Sequence, residues 1–177
     1  TAGANGNSIT KIIPETAQVG PSVFIGSEPN RMAISNDGQT LWVYLNGANA
    51  ARRFDILTET AGLQFTPNPA LQPTDMEVVP GSPQSVAMAM GQSGGGVAIY
   101  DDGVKRPNIG NTSPSVGPIE FGASSSVLYG YNPFSDSFDL VKFLVDSNGV
   151  TTSSVTPRFF PDSGNPLKFV DGLLYTG

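Results

Sequence analysis

Cysteine and histidine are both absent from the 177 residues. No thiolate or imidazole is available as nucleophile, general base or metal ligand, which excludes Ser-His-Asp, Cys-His and His-metal constellations within this chain. Charge is scarce as well: charged residues make up 14%, against roughly 25% in an average soluble domain. The surface must therefore be covered by Gly, Ser, Thr, Asn and Gln. Nine Lys and Arg face fifteen Asp and Glu, a net charge of −6. Such a chain repels a phosphate backbone, so nucleic acid is not an expected partner. Long apolar runs are also missing. Leu41 to Leu45 is typical of the longest and falls far short of the ~20 residues of a membrane-spanning helix. No membrane insertion is expected.

What is present is glycine and proline, 21 and 15 residues, each of which penalises a helix interior. A helical bundle is excluded, and an all-β fold is expected. Short runs rich in β-branched and aromatic residues recur between Gly, Pro, Asn and Asp. They are Ile9 to Ile13, Ser22 to Ile25, Arg31 to Ser35, Leu41 to Leu45, Arg53 to Ile56, Met76 to Val79, Ser85 to Met90 and Val97 to Tyr100. Ile119 to Phe121, Val127 to Tyr131, Leu140 to Val145, Val150 to Val155, Leu167 to Val170 and Leu173 to Tyr175 complete the series. Asn36-Asp37-Gly38, Asp102-Gly103, Asn148-Gly149 and Asp171-Gly172 supply the left-handed backbone of tight antiparallel reversals. One segment is ambiguous. Ala50, Phe54, Leu57 and Ala61 could stripe a helix over Ala48 to Leu63, but Arg53-Phe54-Asp55-Ile56 alternates like a strand and Thr58 to Gly62 reads as a hairpin, so strand, turn, strand is expected.

The strands repeat. Pro29-Asn30-Arg31-Met32-Ala33 is echoed by Pro83-Gln84-Ser85-Val86-Ala87, 54 residues on, and Leu41-Trp42-Val43-Tyr44 by Val127 to Tyr131 and by Leu173 to Tyr175. Arg53-Phe54-Asp55 and Val97 to Asp101 are apolar runs that end in an acid at a turn. Four strands in roughly 40 to 55 residues is the size of a propeller blade.

At Pro29 to Ala33, Asp37-Gly38 and Leu41 to Val43 the chain resembles the bacterial β-propellers of YncE-like or surface-layer YVTN repeats, whose blades read Pro-x-x-apolar-Ala, then Asp-Gly, then Leu-Tyr-Val. The segment from Ile119 to Val155 is similar in part; Ser85 to Tyr100 departs by lacking an Asp-Gly hairpin and inserting Gly91 to Gly96. The resemblance implies a β-propeller of four-stranded antiparallel blades, about four blade equivalents over 1–177.

A physical check stands beside the resemblance. The inner strands of a blade are covered on both faces by neighbouring blades and should be apolar throughout, whereas a β-sandwich leaves one face wet. Leu41 to Leu45 and Val86 to Met90 are apolar at every position, and Thr151-Thr152-Ser153-Ser154 suits a solvent rim. The chain opens on what read as two outer strands and closes on two inner ones, so both ends fall inside a blade. Either these halves share a sheet and close a ring of four, or the chain is an arc of a larger propeller.

No residue earns a catalytic, cofactor-binding or metal-binding assignment. Asp37, Asp101, Asp102, Asp136, Asp139, Asp146, Asp162 and Asp171 read as turn formers that satisfy nearby backbone donors. Asp101-Asp102-Gly103 lacks the alternating acids of a calcium loop. Gly91 to Gly96 has no following Gly-Lys-Ser/Thr and reads as a hairpin rather than a phosphate loop. Arg52-Arg53 and Lys105-Arg106 suit ion pairs with neighbouring blades, and Trp42 and Tyr44 suit the core. Asn111-Thr112-Ser113 fits a glycosylation acceptor, relevant only in a glycosylating secretory pathway.

Two function classes follow. A non-catalytic binding or scaffold module would present its loops to a protein partner or sit in a larger assembly; the composition, free of cysteine and rich in small polar residues, suits a secreted, periplasmic or cell-surface setting. Thr1 to Gly6 carries no signal-peptide pattern. The alternative is an enzyme of the lactonase or dehydrogenase-subunit type that the resemblance brings with it. It would need carboxylates converging on the central channel, with a metal or cofactor there.

Overall fold

The computed structural model describes residues 6–91, 95–110, 115–133, 138–158 and 167–176. Every regular element among them is a strand except one 3₁₀ turn at Asn46–Ala48. The chain opens with a two-stranded hairpin, β1 (Ser8–Ile13) and β2 (Gln18–Phe24). Three four-stranded antiparallel sheets follow in sequence order. The first holds β3 (Pro29–Ile34), β4 (Thr40–Leu45), β5 (Ala50–Asp55) and β6 (Thr60–Phe65). The second holds β7 (Asp75–Val78), β8 (Ser85–Ala89), β9 (Val97–Asp101) and β10 (Val104–Lys105); the third β11 (Ile119–Phe121), β12 (Val127–Tyr131), β13 (Leu140–Asp146) and β14 (Gly149–Thr156). A second two-stranded hairpin, β15 (Leu167–Val170) and β16 (Leu173–Thr176), closes the series.

The sheets stack as leaflets. Their first strands β3, β7, β11 and β15 stand side by side, and β2 meets β6 on the outer side, so strand order within each sheet runs from an inner axis to the rim. This is a β-propeller arrangement, as expected. Dryness follows position. Every residue of β8 is buried, as are Trp42 to Leu45 of β4, while outermost β14 is mostly exposed beyond Val150. Trp42, Tyr44, Val86 and Met88 form one apolar layer between the first and second four-stranded sheets; Ala87, Ile99, Leu128 and Phe143 form another between the second and third.

The segment Ala48 to Leu63 is strand, turn, strand, with Asp55 Oδ1 accepting the Thr58 amide (2.8 Å) in the turn. Asp102-Gly103 and Asp171-Gly172 each hold two successive positive φ angles, 44° and 83°, then 50° and 83°. That is the conformation for which the Asp-Gly signal is selected.

One expected repeat is misaligned. Pro29 opens the first strand of its sheet, but Pro83 leads into β8, a second strand, so their 54-residue offset joins unlike positions. The second strands β4, β8, β12 and β16 start at Thr40, Ser85, Val127 and Leu173, spacings of 45, 42 and 46 residues. Proline misleads because its fixed φ suits both the first residue of a strand, as at Pro29, and a turn leading into one, as at Pro83.

The two terminal hairpins do not share a sheet: β1 pairs only with β2, and β16 only with β15, among the described residues.

Candidate functional site

The inner strands carry the charged residues that the fold brings together. Asp75 and Glu77 lie two apart on β7, Glu120 is the middle residue of β11 and Lys168 the second of β15. Alternation along β7 sends Met76 and Val78 into the apolar layer shared with the first sheet and leaves Asp75 and Glu77 facing the third. Ile119 and Phe121 are likewise core, and Glu120 turns towards β15.

Side chains stitch each inner strand to the next. Arg31 Nε on β3 donates to the Pro73 carbonyl (2.9 Å), just before β7. Asp75 Oδ2 accepts the Ile119 amide of β11 (2.8 Å) and its Oδ1 the Met76 amide (2.9 Å). Glu120 Oε1 accepts the Phe169 amide of β15 (3.3 Å), while its Oε2 pairs with Lys168 Nζ at 2.8 Å. Lys168 also reaches Glu77 Oε1 at 3.5 Å. One ammonium thus spans carboxylates from two sheets.

Burial sets the protonation states. The Glu77 side chain is 24% exposed, and burial, then the Glu120 charge, pushes its carboxyl up to about 8 against the pull of Lys168. Burial also raises Asp75, opposed by the Ile119 and Met76 amides. For Lys168, burial acts downward but the Glu120 hydrogen bond and the two carboxylates outweigh it, and its pKa rises. Glu77 thus holds its proton to higher pH than an ordinary glutamate, and the neighbouring acids hold the proton on Lys168 more tightly. Chemically the cluster brings two acidic side chains, one of them with a raised affinity for its proton, against a partly exposed ammonium. No group of three or more His, Cys, Asp or Glu among the described residues has metal-holding geometry.

These residues were not singled out in the sequence, since each is an isolated charge in an apolar run. Those that were have structural partners. Asp37 Oδ1 accepts the Ser35 hydroxyl (2.5 Å) and the Gln39 amide (3.0 Å), and both bonds hold its carboxyl below the usual range. Asp146 Oδ1 caps the Asn148 and Gly149 amides, and Asp139 Oδ1 accepts the Arg158 amide. Asp101 takes a two-pronged grip from Arg106 (2.7 and 2.8 Å) and the Ser85 hydroxyl (2.6 Å), which together lower its pKa. Arg106 also donates to the Asp146 carbonyl of the third sheet (2.7 Å), and Arg53 crosses from the first sheet to Asp102 of the second (2.5 Å). Arg52 Nη1 reaches the Ile25 carbonyl (3.1 Å). The basic pairs thus contribute clamps between blades.

Trp42 and Tyr44 are fully buried. Trp42 Nε1 donates to the Pro83 carbonyl (3.0 Å), its ring meets Phe65 edge-on at 5.7 Å, and the Tyr44 hydroxyl bonds Asn49 Oδ1. Asp136, Asp162, Asn111-Thr112-Ser113 and the centre of Gly91 to Gly96 lie outside the described residues.

A second feature sits at the first hairpin. An apolar cleft of about 230 Å³ lies between it and the first four-stranded sheet, lined by Ile9, Val23, Ile34, Leu41, Phe54 and Ile56. Register places Ile12 with Val19 and Ser8 with Phe24, on the hairpin face opposite Ile9 and Val23. Ile12, Val19 and Phe24 are exposed there. At the other end, Phe169 stacks on Tyr129 of the third sheet with ring centroids 6.4 Å apart, and the outward face shows exposed Val170, Leu173 and Tyr175.

No protein-family model matches the chain, and no curated protein matches it in sequence. Solved structures match in fold. The chain is similar to Kuenenia stuttgartiensis hydrazine synthase, with a TM-score of 0.67 at 16% identity over 92% of this chain and 45% of that one. It is also similar to the β-propeller domain of Myceliophteria thermophila Cps50 (Swd1), with a TM-score of 0.68 at 12% identity over 91% of this chain and 52% of that one. The chain spans about half the length of each. At such identities the likeness establishes the propeller fold alone.

Proposed function

We propose that the chain is a non-catalytic β-propeller module that docks a protein partner or forms part of a larger assembly, in a secreted, periplasmic or cell-surface setting. One observation carries the reading. Large apolar side chains lie exposed on the outward faces of the two terminal hairpins, Ile12, Val19 and Phe24 at one end and Val170, Leu173 and Tyr175 at the other. Clustered exposed apolar residues mark interaction surfaces. The net charge of −6 favours a protein over a nucleic acid. The setting rests on composition, in the absence of cysteine and the small polar coat. Cross-linking of native material with mass-spectrometric mapping tests the reading: links from these faces to another polypeptide support it, and native protein that stays single and unlinked overturns it.

A second reading, a propeller enzyme, draws on the convergence of Glu77 and Glu120 beside the inner axis. Lys168 already spans the two carboxylates, which is why it ranks second. Metal analysis and a lactonase assay on native protein decide it: bound metal with turnover would promote this reading over the first.

A further inference from the structure

The second four-stranded sheet ends on its shortest strand. β10 holds only Val104 and Lys105. The Arg106 amide still donates to the Ile99 carbonyl of β9 (2.9 Å), but Pro107 has no N–H with which to extend the ladder. The chain rejoins β9 at Gly110, which exchanges both main-chain bonds with Val97 (2.8 and 3.3 Å). Between these points residues 107–109 leave their own sheet and cross to the third.

There they pair as a strand would. The Asn108 amide donates to the Asn148 carbonyl (2.7 Å) and the Asn108 carbonyl accepts the Val150 amide (3.2 Å), a parallel bridge around Gly149. The turn that offers Asn148 is fixed from both sheets: Asp146 Oδ1 accepts the Asn148 and Gly149 amides, and Arg106 Nη1 donates to the Asp146 carbonyl. Two glycines permit the approach. A Cβ on Gly149 would collide with the Asn108 carbonyl oxygen, and one on Gly110 would stand 2.8 Å from Val150 Cγ1 and 2.9 Å from Phe143 Cε1. Side-chain packing contributes little at the tip, since Ile109 is 46% exposed beside an open groove of about 550 Å³. The main-chain bonds hold the segment in place.

The first junction is built differently. Among the described residues, the first and second sheets exchange no main-chain bond. Arg53 and Asp102 tie them with an ion pair open to solvent, an interaction of small worth.

We infer that residues 107–109 are a strap that locks the second and third sheets into one cooperative unit, which opens to solvent as a whole, while the first sheet opens in a step of its own. Local openings follow contiguous units of this kind. Parting the second sheet from the third breaks two main-chain bonds; parting the first from the second breaks none.

Amide-resolved hydrogen exchange of the folded chain, followed through a urea series below the unfolding midpoint, tests the strap. Amides of β8 and β9 and those of β12 and β13 should share one opening free energy and one urea dependence, distinct from those of β4 and β5. Separate values for the second and third sheets, or a single value for all three, overturn the inference. Gly149→Ala should sever the bridge and split the unit, so that exchange in the second and third sheets differs roughly tenfold or more. Gly81→Ala is the control. It also places a Cβ at positive φ in a turn of the unit, but with nothing within 4 Å, and should leave the unit whole. Should Gly149→Ala fail to fold, Asn108→Pro takes its place, removing the donor to Asn148, and is read in the same way. A unit that stays whole in the folded strap variant, or that splits equally in Gly81→Ala, overturns the inference.

Discussion

Asp75 on the first strand of the second sheet accepts, through Oδ2, the backbone amide of Ile119 on the first strand of the third, at 2.8 Å. A side chain here takes the place of a ladder bond, because strands in neighbouring leaflets face each other and cannot pair edge to edge.

Asp75→Ala should leave the Ile119 amide without this acceptor. The expected loss is about 1–3 kcal/mol, with faster hydrogen exchange at Ile119, whereas Asp75→Asn keeps a carbonyl oxygen in place and should lose much less. Equal losses in the two variants would show that the bond contributes nothing.

Glu77 predicts a pH dependence. Burial and the nearby Glu120 push its carboxyl up to about 8, against 4.5 for an ordinary glutamate. Between those values the unfolded chain releases a proton that the native chain retains, so stability falls as pH rises through this window and levels off above it. Asp75, also raised by burial, contributes in the same direction from its own ordinary value upward. Glu77→Gln should flatten the fall in melting temperature between pH 4.5 and 8 and make the protein more stable than wild type at the upper end. An unchanged slope would place the titration elsewhere.

Trp42 is fully buried, touches Phe65 and donates to the Pro83 carbonyl of the next sheet. Trp42→Ala should cost about 3–5 kcal/mol, seen as a lower urea midpoint; Trp42→Phe keeps most of the ring volume and should recover much of it. A midpoint shift below the error of the titration would contradict the layer described between the first two sheets.

Arg106 and Asp101 form the best-defined ion pair, with Ser85 as a third member. Removing either partner should cost about 1.5–3 kcal/mol, as for hydrogen bonds to charged groups, and a double-mutant cycle with Arg106→Ala and Asp101→Ala should show coupling of at least half that. Asp101 has a depressed pKa, so its contribution is present above the ordinary aspartate range and disappears as pH falls below it. Additive single and double variants would dissolve the pair.

The sequence was most readable where one residue's chemistry decides its own conformation. Asp102-Gly103 and Asp171-Gly172 take the two left-handed residues of a tight hairpin, and the unbroken apolar runs of β4 and β8 are covered on both sides. Two-residue β10 was missed, since Val104-Lys105 is too short for any period. The cluster of Glu77, Glu120 and Lys168 was missed for a different reason. Its members lie 43 and 48 residues apart, on strands whose local pattern says only that one face is polar. Only the return of an inner strand to the axis once per blade brings them together. The acids that attracted attention, at Asp37, Asp101 and Asp146, were conspicuous because turns collect them, and their partners are local.

The three side-chain-to-backbone stitches along the axis run one way. Arg31 holds Pro73, Asp75 holds Ile119 and Glu120 holds Phe169, across 42, 44 and 49 residues, and in each the side chain belongs to the earlier leaflet and the backbone group to the later. During synthesis the clasp for every new leaflet has thus already left the ribosome when the backbone it will grip emerges. Assembly can follow translation without waiting for the chain's end, and a ribosome halted after the second leaflet would leave Asp75 presenting an empty hand to the strand still to come.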